Sequence, residues 1–176
     1  MRSRALISAL GLGAVALAGI AGLGWVGGFR LNATPSYPLG LWRIERPVGP
    51  IEVGDVVFIC MPEGSGLTLG LARGYLRAGR CPGGAGPLIK TVAAMPGAHV
   101  DVGRSVTIDG HPLAHSRVRL ADAEGRALAA YAGGIVPPGH FYLHSDYAGS
   151  YDSRYFGPLP DAGLLGLARP VATFDP

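Results

Sequence analysis

Leu88-Ile89-Lys90-Thr91-Val92, closed by Met95-Pro96-Gly97, decides the fold class of this chain. An apolar, partly β-branched run of this length, stopped by Pro-Gly, predicts a short strand rather than a helix. The same punctuation recurs on both sides. Leu41-Trp42-Arg43-Ile44 and Asp55-Val56-Val57-Phe58-Ile59 precede it, with Gly49-Pro50 and Gly54 as turns. His99-Val100-Asp101-Val102 and Val106-Thr107-Ile108 alternate after it, and Asp109-Gly110 is a hairpin signal. Phe141-Tyr142-Leu143-His144 is a later strand, entered by Pro137-Pro138-Gly139. Glycine and proline make up a quarter of the 176 residues, which disfavours long helices beyond the N-terminus. The expected fold is mainly β, an antiparallel sheet joined by many turns. Leu120 to Ala132 is alanine-rich and suits either a short helix or an irregular loop, and Gly64 to Gly86 is expected as an insertion between two core strands.

Upstream the chain changes character. From Ala5 to Phe29 no side chain is charged. About 25 residues at 1.5 Å rise reach roughly 37 Å, more than the roughly 30 Å hydrocarbon core of a bilayer. Arg2 and Arg4 precede the run and Arg30 follows it, so the positive-inside bias places the N-terminus in the cytoplasm and the remainder outside. Residues 1–30 are thus expected as one N-terminal transmembrane helix, and residues 31–176 as one domain on the far side of the membrane. A cleaved signal peptide, with Asn32-Ala33 at the processing site, is the alternative. An ordinary apolar signal core is only about 7 to 15 residues long.

Composition narrows the partners. Fourteen arginines and one lysine stand against twelve carboxylates, a net charge of +3, and the arginines are scattered. Nucleic acid is therefore not the expected partner, whereas a lipid bilayer is. The two cysteines, Cys60 and Cys81, both lie beyond the apolar run, where an oxidising compartment lets them pair. Closing a loop of this size is worth about 3 kcal/mol on the chain-entropy model. A zinc site lacks the CxxC or HxxxH spacing it needs.

The lone lysine also carries chemical interest. A serine hydroxyl needs a neighbouring base, and a lysine kept neutral by apolar surroundings can serve. Arginine stays charged and cannot. Desolvation in the Leu88 to Met95 segment disfavours the Lys90 ammonium. Bringing such an amine from about 10.4 to near 7 takes roughly 4 kcal/mol. The plainer alternative is a lysine whose stem packs along a strand while its head reaches water. Ser36, one of nine serines, sits in Thr34-Pro35-Ser36-Tyr37-Pro38 and is by itself equally well a turn residue.

Four segments together form a pattern. Asn32-Ala33-Thr34-Pro35-Ser36-Tyr37-Pro38-Leu39-Gly40-Leu41-Trp42, Gly54-Asp55-Val56-Val57, Ile89-Lys90-Thr91-Val92-Ala93-Ala94-Met95-Pro96-Gly97 and Ser150-Tyr151-Asp152-Ser153-Arg154-Tyr155-Phe156-Gly157-Pro158-Leu159 resemble, in order, the conserved boxes of the type I signal peptidase family. Tyr-Pro-Leu-Gly-Leu-Trp after the serine looks like the conjugative transfer peptidases of the TraF type. The resemblance implies a signal-peptidase-like β-sheet domain, a single-pass place in the bacterial inner membrane, and a Ser-Lys endopeptidase that uses neither metal nor cofactor. Ser36 matches the nucleophile and Lys90 the general base. Thr34 matches the hydroxyl that forms the oxyanion hole with the Ser36 amide. Ser150 matches the hydroxyl that orients the lysine, and Asp152 and Arg154 match a supporting ion pair. The implied substrate is an exported precursor, a pilin-like subunit of a conjugative transfer apparatus, with cyclisation of the product as one route. A general signal peptidase acting on many preproteins and a non-catalytic periplasmic scaffold of the secretion apparatus are the rival functions.

Departures mark where that pattern is thin. The family commonly has Lys-Arg where this chain has Lys90-Thr91, often Pro-Gly-Asp where it has Pro96-Gly97-Ala98, and Gly-Asp-Asn where it has Ser145-Asp146-Tyr147. Five histidines offer other constellations, of which His144 with Asp146 is the most suggestive of a triad or metal site. Two residues apart on a strand they share a face, but nothing further in the sequence supports either role.

Overall fold

The computed structural model describes residues 22–175, together with Gly11, Gly13, Val15, Ala18 and Gly19. About half of the apolar run assigned to a transmembrane helix lies outside the described residues. Among those described, no helix is long and apolar enough to cross a membrane.

Eleven strands are formed among the described residues: β1 (Phe29–Asn32), β2 (Leu39–Glu45), β3 (Val56–Ile59), β4 (Leu88–Ala94), β5 (His99–Val102), β6 (Val106–Ile108), β7 (His111–Pro112), β8 (Gly134–Ile135), β9 (His140–His144), β10 (Leu159–Pro160) and β11 (Leu164–Phe174). One sheet has seven strands in the order β1-β2-β11-β3-β4-β9-β10, and a second has four, β7-β6-β5-β8. Every pairing is antiparallel, as the turn-rich sequence predicts. Phe29 and Arg30 pair with Arg43 and Trp42. The sheet therefore starts inside the 1–30 segment expected as the anchor, in its last two residues.

Strand β4 is the hinge of the architecture. Its residues Ile89, Lys90, Val92 and Ala94 are buried, so both of its faces are covered. Val92 joins the main core with Val57, Ile59, Leu143 and Tyr151. Ile89 packs with Trp42, Phe58 and Ala168. Ala94 reaches the smaller core beneath the second sheet, with Val100, Val106 and Tyr142. A single strand thus contributes to three apolar clusters, and a register shift between Val92 and Ala94 redirects it from one to the next.

The segment Gly64 to Gly86 is an insertion with a helix, Ser65–Ala72, followed by turns. Leu67 and Leu76 anchor it to the main core, and Cys60 and Cys81 close it as a disulfide with Cα atoms 5.6 Å apart. Leu120 to Ala132 takes the irregular-loop alternative, with a lone bridge between Ala121 and Ala127. The Asp109-Gly110 turn forms as its chemistry requires: both residues have positive φ, 51° and 78°. β11 was not foreseen. It is eleven residues long, lies between β2 and β3, and contains Gly166 and Pro170, which break the usual strand pattern. A register shift between Pro170 and Ala172 accommodates the proline, and just beyond it Gly40, opposite Thr173 and at φ 121°, lets the backbones approach where any Cβ would strike the Ala172 carbonyl.

Candidate active site

Between β1 and β2 the chain turns tightly, and one side chain holds the turn. Asn32 Nδ2 donates to the carbonyl oxygens of Thr34 (3.0 Å), Tyr37 (2.9 Å) and Pro38 (3.1 Å). Its Oδ1 accepts from the Thr34 amide (3.1 Å) and from the Thr34 hydroxyl (2.7 Å). Asn32 thereby replaces the ladder that a strand would have supplied. Trp42 Nε1 adds a 2.9 Å bond to the Pro38 carbonyl. Ser36, half-buried, sits at the centre of this clamped turn.

Ser36 is held from outside the turn as well. Ser145, buried just after β9, donates from Oγ to the Ser36 carbonyl oxygen at 2.7 Å. The loop that carries Ser145 is organised by a fully buried ion pair. Arg154 meets Asp152 with two 2.8 Å bonds in a fork, Nε to Oδ1 and a terminal nitrogen to Oδ2. The same guanidinium donates to the carbonyls of Arg117 (2.9 Å), Ser150 (3.3 Å), Tyr147 (3.4 Å) and Ser145 (3.5 Å). Asp152 also caps the short helix Ser153–Phe156 by accepting from the Arg154 amide and takes the Ser145 amide at 3.2 Å. Ion pair, cap and loop form one unit, so both charges are matched despite complete burial.

Lys90 lies on β4 opposite Val57 and is only 3% exposed. Among the described residues its ammonium makes no hydrogen bond or ion pair. Burial lowers its pKa from 10.5 to about 8. Asp152 opposes this by favouring the charged form, and Arg154 adds to the lowering. The fall stops short of the neutral value that an apolar strand alone suggests, and the Asp152 carboxylate is the opposing influence.

Ser36, Lys90, Thr34 and Ser150 all line one open cavity of about 1370 Å³. Apolar walls come from Leu41, Phe58, Leu76, Leu88 and Ile89. Lys90 and Ser36 are brought to the same cavity without a direct hydrogen bond. Ser150 Oγ is buried there without a partner among the described residues, and it makes no hydrogen bond to Lys90. Thr34 is likewise committed elsewhere, its proton turned to Asn32. Asp152 and Arg154 sit behind the cavity as a support.

Two contributors escaped the sequence. Asn32 lies within the first segment, but nothing in the spacing assigns its amide to three carbonyls. Ser145 stands at the head of the departing Ser145-Asp146-Tyr147, and its signal was a hydroxyl where the family pattern has glycine. His144 Nδ1 lies 3.7 Å from Asp146 Oδ1, but the ring is buried, its pKa is lowered by burial, and it contributes nothing to the cavity wall. Among the described residues no cluster of three or more His, Cys, Asp or Glu is placed to hold a metal.

Residues 4–172 match the family model described as signal peptidase, peptidase S26. The chain is 54% identical to the conjugal transfer protein TraF of Agrobacterium fabrum (strain C58) over 176 residues, the whole of both chains. It is 51% identical to a probable conjugal transfer protein TraF of Sinorhizobium fredii (strain NGR234), over 99% of this chain and 93% of that one. A plasmid transfer protein TraF of Escherichia coli is 36% identical, with 94% of each covered. A crystal structure of signal peptidase I from Enterococcus faecalis V583 superposes on 69% of this chain and 98% of its own, with a TM-score of 0.42 at 20% identity. With one family model spanning nearly the whole chain and relatives above half identity over its full length, this protein belongs to the signal peptidase family, peptidase S26.

Proposed function

We propose that the protein is a serine endopeptidase in which Ser36 is the nucleophile and Lys90 the general base, processing an exported precursor of a conjugative apparatus. The observation that carries this is Lys90, which is buried, has no counter-ion in contact among the described residues, and lines the cavity that Ser36 also lines. A lysine that merely packed its stem would extend its head to water. Here the head is kept where the neutral form is accessible near pH 8.

In the first step the Ser36 Oγ–H proton passes to Lys90 Nζ as Oγ bonds to the scissile carbonyl carbon. The developing oxyanion takes the Ser36 amide and the Thr34 hydroxyl, which swings from Asn32. Asn32 Oδ1 keeps the Thr34 amide when it does so. Collapse breaks the C–N bond, and Lys90 returns the proton to the departing amine. The acyl-enzyme is then released by water, or by an amine of the substrate, which yields a cyclic product. Ser150, whose hydroxyl is buried and without a partner among the described residues, orients Lys90 during the transfers.

The substrate is read as an extended segment. β9 pairs with β4 only from Thr91 onward, while Leu88, Ile89 and Lys90 pair with β3 alone. The other edge of Leu88-Ile89-Lys90 therefore has no partner strand among the described residues, and a peptide laid there gains main-chain hydrogen bonds beside the serine. The protein names of the relatives support conjugation as the setting, and a pilin subunit is the precursor that the resemblance to the TraF-type peptidases implies. The apolar run Ala5–Phe29 supports a single-pass membrane location with the catalytic domain outside the cytoplasm.

Mass spectrometry of a pilin precursor co-expressed with this protein tests the reading. Cleavage at one site, lost in Ser36→Ala and Lys90→Ala, is the expected result, and a mass lower by one water than the linear product marks joined ends. Equal cleavage of a broad panel of preproteins points instead to a general signal peptidase. Processing that survives both substitutions points to a scaffold.

A further inference from the structure

The residue after the nucleophile and the residue after the base touch. The Tyr37 and Thr91 hydroxyls share a short hydrogen bond across 54 residues of sequence. Tyr37 OH also lies 3.5 Å from the His144 carbonyl, so three elements meet at one phenol: the nucleophile turn, β4 and β9. Neither partner is loose. The Tyr37 ring stands edge-on to Trp42, with centroids 6.0 Å apart at 90°, and packs on the cluster of Trp42, Phe58 and Ile89. Thr91 is fixed in register on both sides, opposite Val56 of β3 and His144 of β9.

Other features carry less. Arg104, Arg117 and Arg119 line a second, smaller cavity, but no feature there selects a ligand. Arg30 and Arg80 flank the Trp25 ring at 3.5 and 4.8 Å, an arrangement that the aromatic face itself explains.

The geometry points to the Tyr37–Thr91 pair as a positioning device that fixes how far Ser36 stands from Lys90, and this rests on the Ser-Lys reading above. Each hydroxyl belongs to the immediate neighbour of a reacting residue. A bond between the neighbours therefore constrains the separation of the reacting side chains without either hydroxyl entering the chemistry. Phenylalanine at 37 fills the same apolar space and loses the link, and valine at 91 keeps the β-branched shape and loses it from the other side. The charged and titratable groups around the pair are Asp146 and Asp152, which act on Tyr37, Asp152 and Arg154, which act on Lys90, and His144 beside Thr91. Burial holds the Tyr37 phenol above its ordinary value, so it is neutral throughout the working range.

The test is a steady-state assay of the full-length protein on a quenched peptide spanning the mapped cleavage site. Tyr37→Phe and Thr91→Val should each lower kcat about tenfold with KM within about twofold, the effect of one hydrogen bond. The double variant should be no slower than either single one, because both remove the same link. Thr91→Ser keeps a hydroxyl and should retain at least about half of the activity. In Tyr37→Phe and Thr91→Val the acid limb of kcat/KM should move to higher pH, because a loosened turn lets water reach the Lys90 amine. Losses that add in the double variant, an equal loss in Thr91→Ser, or an unmoved pH limb each overturn the proposal. Ser36→Ala separates the two readings: a dead Ser36→Ala beside a fully active Tyr37→Phe removes only the positioning role, whereas an active Ser36→Ala removes the dyad and the pair's role together.

Discussion

The Ser145 hydroxyl donates to the Ser36 carbonyl oxygen at 2.7 Å, bridging 109 residues of sequence. The turn that holds Ser36 is thereby tied to the loop that Arg154 organises, and one buried charge pair governs a residue it never touches. Ser145→Ala leaves the Ser36 carbonyl short of a donor and the Tyr147 amide short of an acceptor. A loss of about 1–2 kcal/mol in stability and a roughly tenfold fall in kcat are expected. Thermal melting and peptide-cleavage kinetics on the same preparation check both.

Asp152 and Arg154 should be intolerant of single changes. Asp152→Asn strands a buried guanidinium, and breaking such a pair costs about 3–5 kcal/mol. Pairing it with Arg154→Met removes the stranded charge and should recover part of that loss, although the four carbonyls that Arg154 serves lose their donor. Urea unfolding of the three variants measures the coupling. In any Asp152→Asn enzyme that folds, the acid limb of kcat/KM should move to lower pH, because the carboxylate that favours the Lys90 ammonium is gone.

In the proposed dyad, Lys90 links activity and stability to pH with opposite consequences. Its folded pKa, about 8, lies below its unfolded value, so the protonated form opposes folding. The penalty, about 3 kcal/mol, is fully present below pH 8 and is relieved as pH rises from about 8 toward 10.5. Lys90→Met should therefore be inactive yet more stable than the native protein at pH 7, with the gap closing above pH 9. Denaturant midpoints measured across that range report the sign directly.

Opening the Cys60–Cys81 bridge frees an insertion whose residues Leu76 to Arg80 line the cavity. Cys60→Ser with Cys81→Ser should cost about 3 kcal/mol. KM should rise more than kcat falls, since the loop forms cavity wall and carries none of the groups assigned to the chemistry. Reductant should reproduce the loss in the native protein and leave the double variant unchanged.

The strands were legible wherever a β-branched or alternating run met Gly or Pro, as at Val56–Ile59, Leu88–Ala94 and His140–His144. β11 was not, because Gly166 and Pro170 interrupt its pattern and only the partners β2 and β3 reveal it as a strand. Three of the four segments that carry the family pattern line one cavity, and the second, Gly54 to Val57, pairs Val57 with Lys90 from the neighbouring strand, because pattern residues are those whose chemistry must coincide in space. Asn32 and Ser145 were hidden for the opposite reason. Their roles are hydrogen bonds to backbone carbonyls, and a carbonyl leaves no mark in the sequence. The link between Tyr37 and Thr91 was similarly invisible, although Thr91 already stood out as a departure from the family pattern.

The most direct test of the central claim is the pH dependence of kcat/KM for the native protein, measured beside Ser36→Ala and Lys90→Ala that melt as cooperatively as the native chain. A single ionisation near pH 8 on the acid limb, with both variants silent across the whole range, is the predicted result. Cleavage by either variant at more than a trace of the native rate, or a native limb near the pKa of a free lysine, contradicts it.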